Sequence, residues 1–261
     1  MSHPPAFDLT GHVALVTGAG APDGIGIATA HLLGQLGAAV AVTSTTDRCQ
    51  FRAAELRAAG IESFAMPADL TDEGAVDAVV TAAEGALGPV DILVNNAGMV
   101  SISDAGGGGS ITQVSYARWQ SELSRNLSTQ FLVSKRVVGG MVALGWGRII
   151  NMSSVTGPLM AMHNEVTYAA SKAGTAGLTR ALALDLAPAG ITVNAVAPGW
   201  IATGSQTPNE SANGAATPIG RSGTPSEIAA GIAWLASPGA AFITGQVIVI
   251  DGGNSIAEER E

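Results

Sequence analysis

The sequence is poor in several things, and each scarcity removes a possibility. Of its 261 residues one is cysteine, Cys49, so neither an intrachain disulfide nor a cysteine-based metal site can form. A reducing, cytoplasmic setting fits that scarcity. Charged residues make up 13%, with 12 Lys and Arg against 21 Asp and Glu, a formal charge of −9. An acidic surface repels phosphate backbones, which argues against nucleic acid as a partner. No apolar stretch approaches the roughly 20 residues of a membrane span. The opening Met1-Ser2-His3-Pro4-Pro5 lacks the basic-then-apolar order of a signal peptide. The four histidines, His3, His12, His31 and His163, have no metal-ligand spacing, so no metal is expected. His163 lies on a loop before Tyr168, where it either lines a pocket or sits on the surface. Tyrosine is scarcer still, with Tyr116 and Tyr168 alone.

What is abundant is apolar: 47% of the residues are hydrophobic, enough to bury a large core. They fall in short β-branched runs that alternate with Ala/Leu-rich stretches. The runs predict strands at His12–Thr17, Ala39–Thr43, Ser63–Pro67, Ile92–Asn95, Gly147–Met152, Thr192–Ala197 and Gln246–Asp251. Helices are predicted over Gly26–Leu36, Cys49–Ala59, Glu73–Leu87, Ser115–Val138, Tyr168–Leu186 and Pro225–Leu235. This alternation is that of an α/β fold, a Rossmann-type doubly wound parallel sheet of about seven strands with helices on both faces. No linker divides it, so residues 1–261 read as a single domain. Ser101–Ser110, with Gly106–Gly109 in a row, and Thr203–Thr217 read as loops following strands, where the ligand crevice of such a sheet lies. Neither contains Lys or Arg, and both would line a pocket with small side chains, which favours neutral over strongly anionic substrates. Glu258–Glu261 reads as a solvated, charged tail.

The first predicted strand runs into Thr17-Gly18-Ala19-Gly20-Ala21-Pro22-Asp23-Gly24-Ile25-Gly26, and helical sequence follows. Glycines there let backbone approach a pyrophosphate, and the helix start offers free N–H groups to the anion. Asn95-Asn96-Ala97-Gly98 follows the fourth strand. After the fifth come Ser153 and Ser154, then Tyr168-Ala169-Ala170-Ser171-Lys172. Tyr168 and Lys172, four apart on a helix, share a face. A lysine beside a phenol favours phenolate and lowers its pKa from about 10, towards the range where a general acid or base works best.

Taken together these motifs resemble the short-chain dehydrogenase/reductase family, over nearly the whole chain. The glycine turn departs from the family's T-G-x-x-x-G-x-G: five residues separate Gly18 from Gly24, making the loop two residues longer. The resemblance implies a nicotinamide cofactor held by Gly18, Gly24, Ile25 and Gly26 at the phosphates and by Asp69 and Leu70 near adenine. Asn96, Ala97 and Gly98, together with Tyr168 and Lys172, would meet ribose, and Pro198, Gly199, Ile201 and Thr203 the nicotinamide. Asp69 equally suits capping the helix that follows it. After the second strand, Ser44, Thr45 and Arg48 favour NADP(H) over NAD(H), whereas Asp47 points to NAD(H). Asp47 and Arg48 also suit the start of the next helix. The implied catalytic set is Asn126, Ser154, Tyr168 and Lys172, with Ser153 the competing serine. In relatives the Asn kinks its helix and holds a water that links the lysine to solvent. Pro218–Arg221 and Gly245–Gly253 match further landmarks, read as scaffold and subunit contact, and relatives are commonly homotetramers. The implied activity is hydride transfer between NADP(H) and a small-molecule ketone or secondary alcohol. A 3-oxoacyl-thioester reductase of the same mechanism stays open, and so does a non-catalytic NADP-binding regulatory protein.

Overall fold

In the computed structural model, which describes residues 3–98 and 109–258, each predicted run becomes a strand, most of them shorter than expected by a residue or two. The strands are β1 (Val13–Val16), β2 (Ala39–Val42), β3 (Ser63–Ala65), β4 (Ile92–Asn95), β5 (Gly147–Met152), β6 (Ile191–Pro198) and β7 (Val247–Ile250). They form one parallel sheet in the order β3-β2-β1-β4-β5-β6-β7. The direction of winding reverses between β1 and β4, which opens a crevice beyond their carboxyl ends. Alternate residues face opposite sides of the sheet. Ala14 and Val16 join Ile27, Leu33, Ile228 and Ile232 on one face, which α1 (Ile25–Gln35), α2 (Arg48–Ala58) and α8 (Pro225–Ala236) cover. Val13 and Leu15 join Val79, Leu93, Val133 and Val137 on the other, under α3 (Glu73–Leu87) and α5 (Thr129–Leu144). Helices on both faces explain why β1, β4, β5 and β6 are buried throughout.

Two predictions change. The helix expected over Ser115–Val138 is α4 (Tyr116–Leu123), a π-helical turn (Ser124–Ser128) and then α5. Side chains that compete for backbone carbonyls sit at that turn: Asn126 Nδ2 donates to Glu122 O at 3.1 Å and Thr129 Oγ1 to Arg125 O at 2.8 Å. Helix α5 runs past Gly139 and Gly140 and ends at Gly145, left-handed at φ 66°. The segment Thr203–Thr217 is not all loop, because it contains α7 (Pro208–Ala215). A reciprocal Thr207–Glu210 capping box with Pro208 at the first helical position starts this helix. Of the loop expected over Ser101–Ser110, residues 101–108 lie outside the described residues, as do 259–261 of the expected tail. Gly109 forms a parallel bridge to Glu165, just before α6 (Val166–Leu186). Among the described residues no helix is long and apolar enough to cross a membrane.

Candidate active site

The carboxyl ends of β1, β2 and β4 meet at the glycine turn. Gly18 is left-handed (φ 68°), and a Cβ there would come within 2.8 Å of Ala97 Cα. On Gly20 a Cβ would come 2.9 Å from the Ser44 side chain, and on Gly26 2.7 Å from Asn96 Nδ2. The turn therefore packs closely on the backbone of Ala97 and on the side chains of Ser44 and Asn96, with no room for a Cβ at these positions. Gly24 is the N-cap of α1 and provides no side-chain partner for the first N–H groups, which stay free for an anion. Asn96 Nδ2 holds the turn in place by donating to Thr17 O at 3.0 Å and Gly18 O at 3.1 Å, while Ala97 N donates to Thr17 Oγ1 at 2.9 Å. Asn95 Nδ2 ties β4 to its neighbours by donating to Asn151 Oδ1 at 2.9 Å and Ser134 Oγ at 3.0 Å.

The lengthened part of the turn carries Asp23 out to Gly204, where its carboxylate occupies the place a Cβ would take. Arg48 begins α2 and Asp47 is its N-cap, without a side-chain cap bond. Both are exposed; Arg48 Nε donates to Thr46 Oγ1 at 3.1 Å, and Ser44 Oγ to Thr46 O at 2.7 Å. Thr45 is exposed beside them. Asp69 is exposed and accepts from Thr71 N (3.0 Å) and Thr71 Oγ1 (2.7 Å) through one oxygen, next to the buried Leu70. Capping of α3 falls to Asp72 instead.

A second cluster gathers beyond β5. Gly157, at φ 108°, lets the chain after Ser154 pack directly on the backbone of α6, where a Cβ would come within 2.8 Å of Ala173 N. That approach brings Ser154 to Tyr168, with which it hydrogen-bonds. Ser153 is committed elsewhere, donating to Lys172 O at 3.0 Å. Lys172 Nζ lies 5.5 Å from the centre of the Tyr168 ring and donates to Met152 O at 3.0 Å. Burial pushes the Lys172 ammonium down to about 8. Burial also pushes the Tyr168 phenol up; the Ser154 hydrogen bond opposes that, and negative charge on Glu165 and Glu210 adds to it. Lys172, its ammonium turned to the Met152 carbonyl, is not among the groups that shift the phenol in the chain alone. Asn126 is buried on the π-helical turn against Gly98, and its Oδ1 accepts no hydrogen bond.

Ser154, Tyr168 and Lys172 open on one cavity of about 230 Å³, whose lining does not include Asn126. Its wall includes Ile25, Asn96 and Gly98 from the glycine-turn side, Ser154, Tyr168 and Lys172, and Pro198, Gly199, Ile201 and Thr203 after β6. Ile201 is fixed by a parallel bridge to Gly223, and Thr203 Oγ1 lies 3.1 Å from Ser205 Oγ. The lining is larger and more acidic than the expected small side chains. Met162, Trp200, Gln206, Glu165 and Glu210 all contribute, whereas His163 is exposed and does not. Glu210 was readable in Thr207-Pro208-Asn209-Glu210, a capping sequence that starts a helix; Trp200 and Glu165 left no comparable signal.

Comparison with known proteins gives a consistent picture. A family model described as enoyl-(acyl carrier protein) reductase matches residues 18–255. A 3-oxoacyl-(acyl-carrier-protein) reductase, FabG, of Vibrio cholerae is 39% identical, covering 95% of this chain and 98% of that protein. The cis-4-hydroxycyclohexanecarboxylate dehydrogenase of Sinomonas cyclohexanicum is 38% identical over 92% of this chain and 95% of its own. Among solved structures, a short-chain dehydrogenase/reductase of Serratia marcescens superposes with a TM-score of 0.86 at 35% identity, covering 95% of this chain and 99% of that one. One from Mycobacterium marinum gives 0.87 at 33% identity, covering 97% and 98%.

Proposed function

Because the chain belongs to the short-chain dehydrogenase/reductase family, we propose that it is an NADP(H)-dependent oxidoreductase acting on a ketone or secondary alcohol, with Tyr168 as general acid and base. The observation that carries this reading is the convergence of Ser154, Tyr168 and Lys172 on a cavity that continues to Gly98 and Ile25 at the glycine turn.

The residues present fit a dinucleotide. Gly18, Gly20 and Gly26 let the turn pack tightly on Ala97, Ser44 and Asn96, and the start of α1 is free for a pyrophosphate. Gly18, Gly24, Ile25 and Gly26 would hold the phosphates, Asp69 and Leu70 the adenine, and Asn96, Ala97 and Gly98 a ribose. Pro198, Gly199, Ile201 and Thr203 would hold the nicotinamide, which supplies or accepts the hydride when bound. Exposed Arg48 and Thr45, with Ser44 against Gly20, support NADP(H), against the equally exposed Asp47, whose side chain makes no cap bond to α2.

In reduction Tyr168 Oη delivers a proton to the substrate oxygen, and Ser154 donates a hydrogen bond that polarises the carbonyl. Lys172, when charged, stabilises the phenolate left behind. Asn126, with its unmet Oδ1, would hold the water through which Lys172 and Tyr168 recover the proton. A 3-oxoacyl-thioester reductase with this machinery is the second reading, favoured by the Vibrio cholerae relative. Self-association is part of the proposal: β7 forms an edge of the sheet, where Val249 is exposed and Phe242 lies uncovered nearby.

The test follows nicotinamide absorbance with NADPH and NADH against simple ketones and a 3-oxoacyl thioester, in the wild type and Tyr168→Phe. The expected result is turnover preferring NADPH and a roughly 10³-fold lower kcat in the variant. Comparable rates with both cofactors contradict the assignment of Ser44, Thr45 and Arg48. Turnover by Tyr168→Phe within about tenfold of wild type contradicts the role of Tyr168.

A further inference from the structure

The cavity beside Ser154 and Tyr168 carries a charge that hydride transfer does not itself require. Two carboxylates stand in its wall, Glu165 at the start of α6 and Glu210 in the first turn of α7. Among the described lining residues the one cation is Lys172, whose ammonium is turned to the Met152 carbonyl. Arg118, a second cation acting on Glu165, is held by Glu122 at 2.7 Å.

The two carboxylates differ in what they do for the fold. Glu210 Oε2 accepts from Thr207 N at 2.7 Å and Thr207 Oγ1 at 2.9 Å, so the capping box fixes this carboxylate at the cavity wall. Glu165 has no such duty. Asn164, left-handed at φ 64°, turns the chain into α6, and Glu165 occupies the N-cap position without a side-chain cap bond. It is half-buried, and burial pushes its carboxyl up, helped by repulsion from Glu122 and opposed by Arg118, with Glu210 adding to the rise. A half-buried carboxylate beside a second one is unfavourable unless something positive meets it. Trp200 stands in the same wall, and an indole is the aromatic side chain that attracts a cation most strongly.

Resting on the hydride-transfer reading above, we infer that the cavity selects carbonyl or alcohol substrates bearing an ammonium group, which Glu165 and Glu210 bind beside Trp200. The cavity next to the proton donor locates the ligand, and the carboxylates decide its charge. A substrate carboxylate at that place meets like charge twice. An ammonium there also offsets the two negative charges that add to the rise burial imposes on the Tyr168 phenol, so substrate charge and proton transfer are coupled.

The experiment compares three methyl ketones that carry a dimethylammonium, an isopropyl or a carboxylate group at the same distance from the carbonyl. In the wild type the ammonium ketone should exceed the isopropyl ketone in kcat/KM by roughly tenfold. The carboxylate ketone should fall below both. In Glu165→Gln the ratio of ammonium to isopropyl ketone should fall to about twofold or less. Because Glu165 caps nothing, this variant should fold. The wild-type preference should grow as pH rises and Glu165 ionises. Equal use of the ammonium and isopropyl ketones, or preference for the carboxylate, overturns the inference. If none of the three turns over, the hydride-transfer reading has failed, and calorimetry with the ammonium ketone decides the inference alone. Saturable, salt-sensitive binding that Glu165→Gln weakens sustains it, and binding indifferent to Glu165→Gln overturns it.

Discussion

The two ends of the sheet bury a long cation each, and they treat it differently. At the amino ends Arg148 is 3% exposed; at the carboxyl ends Lys172 is 1% exposed. Arg148 Nη1 donates to Gly147 O at 2.8 Å, and its guanidinium lies 4.4 Å from the Trp146 ring, which stacks on His12 at 4.0 Å. Burial pushes Arg148 down, and the charge of Asp91 pushes it back up. Asp91 also meets His12 Nδ1 at 2.7 Å and Val13 N at 2.9 Å. Nε of Arg148 is buried without a partner. Among the described residues no carboxylate answers Lys172, and burial alone drives its shift. Around it Asn126 Oδ1, Gln130 Oε1 and Trp200 Nε1 are buried without hydrogen bonds. Charges at one end are met by the fold, while those at the other are left for a ligand to meet. The difference separates scaffold from candidate site without reference to any relative.

That contrast can be broken by substitution. The largest effect should come from Asp91→Ala, which strips His12 and Val13 N of their shared acceptor and Arg148 of the negative charge that faces it. Loss of about 3–5 kcal/mol is expected by denaturant unfolding, with kcat of the folded enzyme unchanged. An Asp91→Ala enzyme as stable as wild type would show that the amino-end cluster is not a stabilising unit. Gly26→Ala should do less to the fold, about 1–2 kcal/mol, but more to the ligand. Its Cβ would meet Asn96 Nδ2 and Gly18 O, so cofactor Kd should rise roughly tenfold. Unchanged cofactor affinity would remove the glycine turn from the site. The smallest effect sharpens the contrast within the cavity. Glu165→Gln removes a negative charge that raises Tyr168, so the pH-rate limb belonging to the phenol should move to lower pH. A limb that stays put or moves up would place Glu165 outside the reach of Tyr168.

Much of this was legible before any coordinates. Period and punctuation set the seven strands, because a parallel sheet covered on both faces needs short unbroken apolar runs such as Ile92–Asn95. The glycine turn, Asn96 and the Tyr168–Lys172 spacing placed one wall of the cavity, since local backbone demands and helical period act over a few residues. What escaped depends on distant contact. The expected effect of Lys172 on Tyr168 ignored that the ammonium would be buried and turned to the Met152 carbonyl. The acidic wall joins Glu165 and Glu210, 45 positions apart by their numbers, and no local pattern announces their meeting. Helix α7 was missed although its capping box was written in Thr207-Pro208-Asn209-Glu210. The π-helical turn came through resemblance as a kink at Asn126, while the competing carbonyl bonds that accompany it needed the structure.

Thermal melting of cofactor-free Lys172→Met against wild type, as a function of pH, tests the contrast most directly. Lys172 falls from its ordinary 10.5 to about 8 in the fold. The unfolded chain therefore binds the extra proton between those values, and the penalty is full below about 8 and relieved as pH rises towards 10.5. That penalty is roughly 3 kcal/mol at neutral pH. Gln130 Nε2 donates to Met152 O at 3.1 Å, so the carbonyl keeps a partner when Lys172 is replaced. Near neutral pH the variant should melt several degrees above wild type, at about 2–4 °C per kcal/mol, and the gap should close as pH rises. A variant that melts below wild type, or a gap that does not narrow with pH, would contradict the claim that this end of the sheet holds its charge in wait for a ligand.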